Sequence, residues 1–280
     1  MTSSLRPMTL AELLDRAFQL YRRHLVVLAG LVALPMLAVL AVQLAQAVYF
    51  PTRISFRPDP DLRRAFANLG VQMLWAMAVL TVTVIASAVA QSATVLAVAD
   101  LNLDKPITIG RAFAGVRPKL PRVLLVSIVI TVLVALGTVF CIVPGILLAL
   151  RWAFVCQTVV VEDAGLGEAM SRSAVLTDGN RGRIFMIYFL FFILSLTCSA
   201  IWQAPTSVAI LSATAAGHAP PTWSLVLAPV GGYVTQVLVG PLLHIAITLS
   251  YFDARVKKEG FDLDYMLKQI ENAGPPTAAV

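Results

Sequence analysis

The chain has 280 residues, of which 59% are hydrophobic and 13% are charged, and its formal net charge at pH 7 is +6. The charged fraction is about half that of a soluble globular protein, and no soluble core can absorb this much apolar surface. The composition therefore excludes a soluble domain and predicts an integral membrane protein that crosses the bilayer several times.

The first predicted element is an amphipathic helix. Apolar residues recur at helical spacing from Leu10 to Tyr21, while polar and charged residues from Glu12 to Arg22 occupy the other side. An amphipathic helix with a basic end is typical of the membrane surface. The apolar run that follows is longer than the hydrophobic region of a secretory signal, so we interpret it as a retained anchor.

Six apolar segments are long enough to cross the hydrocarbon core, which needs about 20 residues of helix. In chain order they are 25–48, 71–99, 123–142, 144–161, 184–204 and 224–251. They are apolar on every face, which favours helices over the alternating strands of a barrel. We therefore predict an all-α bundle of six spans within residues 1–260, followed by a cytoplasmic tail, 261–280, with a short helix and a disordered end.

Lysine and arginine are concentrated in alternate connections. The N-terminal segment, the second and fourth loops and the tail are basic, whereas the third and fifth connections carry no lysine or arginine. The positive-inside rule then places both termini in the cytoplasm. The first loop departs from this pattern, because Arg53, Arg57, Arg63 and Arg64 are predicted to face outward.

Three short stretches share a pattern of apolar, small, charged and apolar residues. They are "TLAELL" from Thr9, "TIGRAF" from Thr108 and "GLGEAM" from Gly165. The pattern predicts three cytoplasmic interfacial helices and three tandem units. The units would cover 8–99, 105–161 and 163–251, and the alternative is three unrelated amphipathic loops.

Four patches carry a family resemblance. They are "LRPMTLAELLDRAFQLYRRH", "PGILLALRW", "VEDAGLGEAMSRSAVL" and "YFDARVKKEGFDLD". Together they resemble an uncharacterised group of bacterial six-helix integral membrane proteins, similar to the membrane domain of glycerophosphoryl diester phosphodiesterases. The resemblance implies a helical protein of the bacterial cytoplasmic membrane and little about activity.

Arg151 is the one charge in the apolar run 143–161. A charge inside a span is costly, so we expect it to face the bundle or a wet cavity. Two interpretations stay open: a structural arginine that bonds to broken backbone or snorkels beside Trp152, or a site for an anionic headgroup. On the second interpretation the candidate ligand-binding residues are Arg151, Trp152, Gln91, Gln236 and His244.

Basic residues at the predicted cytoplasmic ends are expected to contact headgroups of the inner leaflet. They are Arg22, Arg23, Arg181, Arg183, Arg255 and Lys257. The adjacent pair Glu162 and Asp163 is interpreted as a solvated cap of the fourth span.

No motif predicts a catalytic residue, a metal site, a cofactor or a nucleic-acid partner. The sequence therefore favours a non-enzymatic protein that binds or moves a lipid-like or anionic hydrophobic molecule. Its expected partners are membrane phospholipids, with a membrane protein or a second copy of the chain as further candidates. The alternatives are a permease for a small solute and a scaffold for a partner enzyme.

Overall fold

The computed structural model describes residues 8–49, 62–103 and 105–272, and in these ranges it contains helices and no strand. The helices are α1 (Leu10–Arg23), α2 (Leu25–Tyr49), α3 (Leu62–Asn102), α4 (Ile109–Val116), α5 (Leu120–Phe140), α6 (Ile142–Arg151), α7 (Val155–Glu162), α8 (Leu166–Thr177), α9 (Arg181–Ala215) and α10 (Thr222–Asn272). Within the described ranges, six stretches are long and apolar enough to cross a membrane. The all-α polytopic fold is therefore confirmed.

The fourth predicted span is not one continuous helix. The helix α6 ends at Arg151, a turn follows, and α7 begins at Val155. The N–H of Trp152 still reaches the carbonyl of Leu148 at 3.1 Å, but the next residues leave the regular pattern. The span is thereby divided into a mostly exposed helix, α6, and a mostly buried helix, α7.

The fifth span is longer than the sequence indicated, because α9 passes through Pro205 and continues to Ala215. A proline removes one backbone hydrogen bond, and membrane helices tolerate it where a nearby hydroxyl bonds to the freed carbonyls. The carbonyl that Pro205 leaves without its N–H donor is that of Ile201, and the hydroxyl of Thr206 donates to the neighbouring carbonyls of Trp202 and Gln203. The prediction that this span ends at residue 204 and that a loop begins at Pro205 is therefore wrong.

The helix α10 is also longer than expected, and the short helix predicted for the tail is its continuation. The disorder predicted for the end of the chain concerns residues 273–280, which lie outside the described residues. Arg53 and Arg57 of the first loop also lie outside them, whereas Arg63 and Arg64 belong to the start of α3.

The four longest helices form an arc in the order α3, α2, α10, α9. The helix α2 packs against both α3 and α10, and α10 packs against α9. The helix α1 lies against α10, and Leu13, Leu28, Ile245 and Tyr251 are fully buried where these helices meet. The helices α3 and α9 therefore form the two edges of the arc, and α1 packs on α10 between them.

The helices α5 and α6 form a close hairpin beside this arc. A Cβ on Gly145 would lie 2.8 Å from the Cα of Thr138, and one on Gly137 would lie 3.3 Å from the Cα of Gly145. In α5 the buried residues are Val123 and Val126, both near its beginning. The two helices of the hairpin therefore pack tightly against each other, and α5 contacts the rest of the protein mainly near its beginning.

The three short helices α1, α4 and α8 precede pairs of longer segments, in the order that the three predicted units require. The hydroxyl of Thr9 caps α1 by accepting from the N–H of Glu12, and Thr108 caps α4 in the same way through Arg111. The first residue of the third stretch, Gly165, instead donates its N–H to the carboxylate of Glu168. The repeat itself stays a prediction.

Candidate functional site

A cleft of about 880 Å³ lies in the concave side of the arc, between α2, α3, α9 and α10. Its walls are mostly apolar, with Met36 and Val39 on α2 and Val79 and Leu80 on α3. Among the described residues that line the cleft, none carries a charge. Its volume lies within the range of small-molecule sites, which are typically about 300–1,000 Å³.

Four glutamines contribute to the polar surface of this cleft: Gln43, Gln46, Gln203 and Gln236. Within the described part of the chain, none of these four amides has a hydrogen-bond partner in the protein. By contrast, the hydroxyl of Tyr233, which also lines the cleft, donates to the carbonyl of Ala33 at 3.3 Å. The glutamine amides are therefore among the polar groups available to a ligand, and each offers donors and an acceptor without charge.

The cleft lies between the two edges of the arc. The helices α3 and α9 line opposite walls but do not pack against each other to any extent. Gln236 lies 17 residues before Asp253 on α10, which is about 26 Å along the helix axis. The cleft is therefore in the half of the bundle remote from the ion pairs described below.

The structure does not bring the five predicted ligand-binding residues together. Gln236 lines the cleft, whereas Arg151, Trp152, Gln91 and His244 do not. The Nδ1 atom of His244 is buried and, within the described residues, has no hydrogen-bond partner. Gln91 is half-buried on α3, and Trp152 is half-buried in the turn after α6. Their role in ligand binding stays a prediction.

Arg151 was expected to face the bundle or a wet cavity, but its side chain is exposed. Its carbonyl, left free at the end of α6, accepts hydrogen bonds from Ser173 at 3.1 Å and Thr177 at 3.2 Å. Its guanidinium has no partner among the residues that the structure describes. The first interpretation required a break in the backbone, and this break is present. However, the free carbonyl at the break accepts from hydroxyls of α8 and not from the side chain of Arg151.

A cluster of ion pairs joins α7, α8, α9 and α10 at the other end of the bundle, and we call it the ion-pair cluster. It contains Glu162, Arg172, Arg183, Asp253, Arg255, Lys257 and Glu259. Asp253 is its most buried carboxylate, with Arg183 at 2.5 Å and Lys257 at 2.9 Å. It also accepts the N–H of Met8 at 3.0 Å, which attaches the N-terminal segment to α10.

Glu162 is the second centre of this cluster. It accepts the hydroxyl of Tyr251 at 2.7 Å and the Nε of Arg172 at 3.2 Å. Burial of Arg172 opposes its charge, but the carboxylates of Glu162 and Glu259 outweigh that effect and raise the pKa of the guanidinium. The interpretation of Glu162 as a solvated cap is therefore wrong, because the residue links α7 to α8 and α10.

The six predicted headgroup contacts fall into two groups. Arg183, Arg255 and Lys257 are held in the ion-pair cluster, and Arg181 pairs with Asp178 at 3.4 Å. Arg22 and Arg23 are exposed at the end of α1 and, within the described ranges, have no ion pair. The first group thus has a structural role that sequence reasoning missed, and contact with headgroups stays a prediction for all six.

The fold, with six stretches long and apolar enough to cross a membrane within the described ranges, defines the chain as a multi-pass helical membrane protein. More particularly, residues 107–254, which are 148 of the 280, match the family described as "Domain of unknown function (DUF7847)", and the chain belongs to that family. It is also similar to a UPF0259 membrane protein of Sodalis glossinidius (strain morsitans), with 37% identity over 76 residues.

The match to the Sodalis protein covers 27% of this chain and 30% of that protein. No solved structure matches the chain. These findings support an uncharacterised bacterial membrane family, and the similarity to the phosphodiesterase membrane domain stays a prediction.

Proposed function

We propose that this protein is a non-enzymatic membrane protein that binds a lipid-like molecule in the cleft between α2, α3, α9 and α10. The observation that carries the proposal is the cleft itself, which is mostly apolar, lies between two helices that do not pack together, α3 and α9, and presents four unpaired amides. A permease for a polar solute would instead need a closed pathway across the bilayer. The gap between α3 and α9 suits a molecule that enters from the membrane.

The chemistry of the walls favours an uncharged polar headgroup. A charged headgroup in an apolar site would lack a compensating charge, and burying an unpaired charge is costly. Glutamine amides can both donate to a carbonyl or ester oxygen and accept from a hydroxyl. The ligand that fits these walls is therefore a neutral lipid with hydroxyl or ester groups, and the anionic ligand considered from the sequence is disfavoured in this cleft.

The proposed setting is the bacterial cytoplasmic membrane, with both termini and the ion-pair cluster on the cytoplasmic side. The distribution of lysine and arginine supports this orientation. The cleft then lies towards the outer leaflet, while α1, α4 and α8 lie at the inner surface. Arg22 and Arg23 at the end of α1 are free to contact anionic headgroups there.

The test uses the purified full-length protein and two probes that share acyl chains, dioleoylglycerol and dioleoylphosphatidic acid. We expect the protein to bind dioleoylglycerol and to prefer it over the charged phosphatidic acid. The variant Gly232→Phe fills the cleft, since an added Cβ at Gly232 meets no atom within 4 Å. This variant should lose dioleoylglycerol binding while its unfolding midpoint stays close to that of the unaltered protein.

The matched control is Leu238→Phe, which adds an aromatic ring to an exposed position of the same helix outside the cleft. It should bind dioleoylglycerol as the unaltered protein does. Undiminished binding by a folded Gly232→Phe variant would contradict the proposal. A clear preference for phosphatidic acid would contradict the assignment of a neutral ligand.

A further inference from the structure

The exposed guanidinium of Arg151 marks a second site, separate from the cleft. It stands at the end of an apolar stripe on α6, because Val143, Leu147 and Arg151 are spaced four residues apart and share one helix face. Val143 is 61% exposed and Leu147 is 52% exposed, so the described residues leave this face uncovered. Arg151 lies about 12 Å along the axis from Val143.

Contacts of α8 place Arg151 at the level of the ion-pair cluster and not deep within the apolar half of the bundle. The carbonyl of Arg151 accepts from Thr177 of α8. The same helix is bound to the polar end of α10, where Arg172 pairs with Glu259 and Lys258 donates to the carbonyl of Val175.

A contact of the turn after α6 independently places Arg151 at the level of the ion-pair cluster. The ring of Phe154 lies 5.9 Å from the ring of Tyr251, and Asp253 follows two residues later on α10. Arg151 therefore lies where the lipid-facing surface changes from apolar to charged. In a bilayer, that level is occupied by phosphates.

The charge of Arg151 is not cancelled by the protein. Asp178, which follows Thr177 in the chain, pairs with Arg181 at 3.4 Å. The guanidinium of Arg151 has no acid beside it among the described residues. An arginine binds a phosphate through two parallel hydrogen bonds, and an uncompensated positive charge favours a lipid with a net negative headgroup.

We propose that Arg151 binds the phosphate of an anionic phospholipid, whose acyl chain lies along the stripe of Val143 and Leu147. The lipid belongs to the leaflet on the side of the ion-pair cluster. This site does not depend on the neutral ligand proposed for the cleft, because the two share no residue.

Trp152, next to Arg151, provides a local reporter. A variant that keeps Trp152 and replaces Trp75, Trp202 and Trp223 with Phe is reconstituted into bilayers that contain both phosphatidylglycerol and phosphatidylcholine. Bromine on the chains of one lipid or the other quenches tryptophan only at short range. The ratio of the two quenching curves therefore gives the preference of the lipid site beside Trp152.

We expect phosphatidylglycerol to be preferred about five-fold, the effect of one basic residue at an anionic surface. Arg151→Gln should bring the ratio close to one, and Arg151→Lys should retain part of the preference. The control Arg23→Gln removes an exposed charge at the end of α1 and should leave the ratio at Trp152 unchanged. Inorganic phosphate in the buffer should also leave it unchanged, whereas a free-phosphate site would be blocked.

A ratio of one in the protein with intact Arg151, or an unchanged ratio in Arg151→Gln, would overturn the proposal. If the loss of Trp202 unfolds the reporter variant, native mass spectrometry of the natural chain from mixed bilayers replaces it. Arg151→Gln should then retain fewer phosphatidylglycerol molecules than the natural chain, with phosphatidylcholine unchanged. Equal retention of phosphatidylglycerol would overturn the proposal.

Discussion

Removing the carboxylate of Asp253 is expected to destabilise the protein more than removing the charge of an exposed side chain. The side chains of Asp253 and Arg183 are only 6% and 14% exposed, and their closest atoms are 2.5 Å apart. Deleting one member of a buried pair costs about 3–5 kcal/mol, because the other charge stays buried without compensation. In Arg183 the Nε and Nη2 atoms are already buried and, in the described residues, have no hydrogen-bond partner.

We expect Asp253→Ala to lower the free energy of unfolding by about 3–5 kcal/mol. At about 2–4 °C per kcal/mol, the scale for soluble domains of 150–250 residues, the unfolding midpoint should fall by roughly 6–20 °C. The assay is thermal unfolding in detergent, followed by the helical circular dichroism signal. The variant also loses the contact between Asp253 and the N–H of Met8, so the N-terminal segment should become more accessible to protease.

The exposed pair of Asp178 and Arg181 is the matched control, since these side chains are 70% and 45% exposed. Asp178→Ala should cost no more than about 1 kcal/mol. The double variant Arg183→Met with Asp253→Leu should regain most of the loss, because an apolar pair replaces two buried charges. If Asp253→Ala and Asp178→Ala lower the midpoint equally, the assignment of Asp253 as a buried anchor is wrong.

Two further stability predictions use the same unfolding assay. At adjacent glycines of α10, Gly231→Ala should destabilise by about 1–3 kcal/mol, since its Cβ would lie 2.3 Å from Cγ of Trp202, whereas Gly232→Ala should stabilise by up to about 1 kcal/mol. Equal midpoints for the two variants would contradict the packing of α9 on α10. Thr9→Ala removes the hydroxyl that accepts the N–H of Glu12 at 3.3 Å and should cost about 1 kcal/mol, so an unchanged midpoint would show that this cap does not stabilise α1.

The class of fold could be predicted from the sequence because long apolar runs leave the backbone one way to satisfy its hydrogen bonds in lipid. The amphipathic helix α1 was equally predictable, since the residues from Leu10 to Tyr21 carry a clear helical period. The extent of α9 was not, because Pro205 is a strong local signal for a break. Pro205 nevertheless lies inside α9, whose packing against α10 depends on residues distant in the chain.

The candidate sites were predicted less well, because they depend on which helices become neighbours. Gln43 and Gln203 are 160 residues apart in the chain, and only the arc of helices places them on one cleft. The link from Glu162 to Tyr251 has the same origin, since it joins residues 89 positions apart. Arg151 was identified correctly as unusual, but its level relative to α8 and α10 required the contacts of Thr177 and Lys258.

The close contact of α5 with α6 has a mechanical consequence. Because Gly137 and Gly145 leave no space between the two helices, the hairpin can only tilt as one stiff arm that pivots near Val123 and Val126. Beyond the part that packs on neighbouring helices, acyl chains are then expected to supply its sideways support. The thickness and stiffness of the host bilayer will therefore set the tilt of this arm, as they do for other helices whose apolar length must match the membrane.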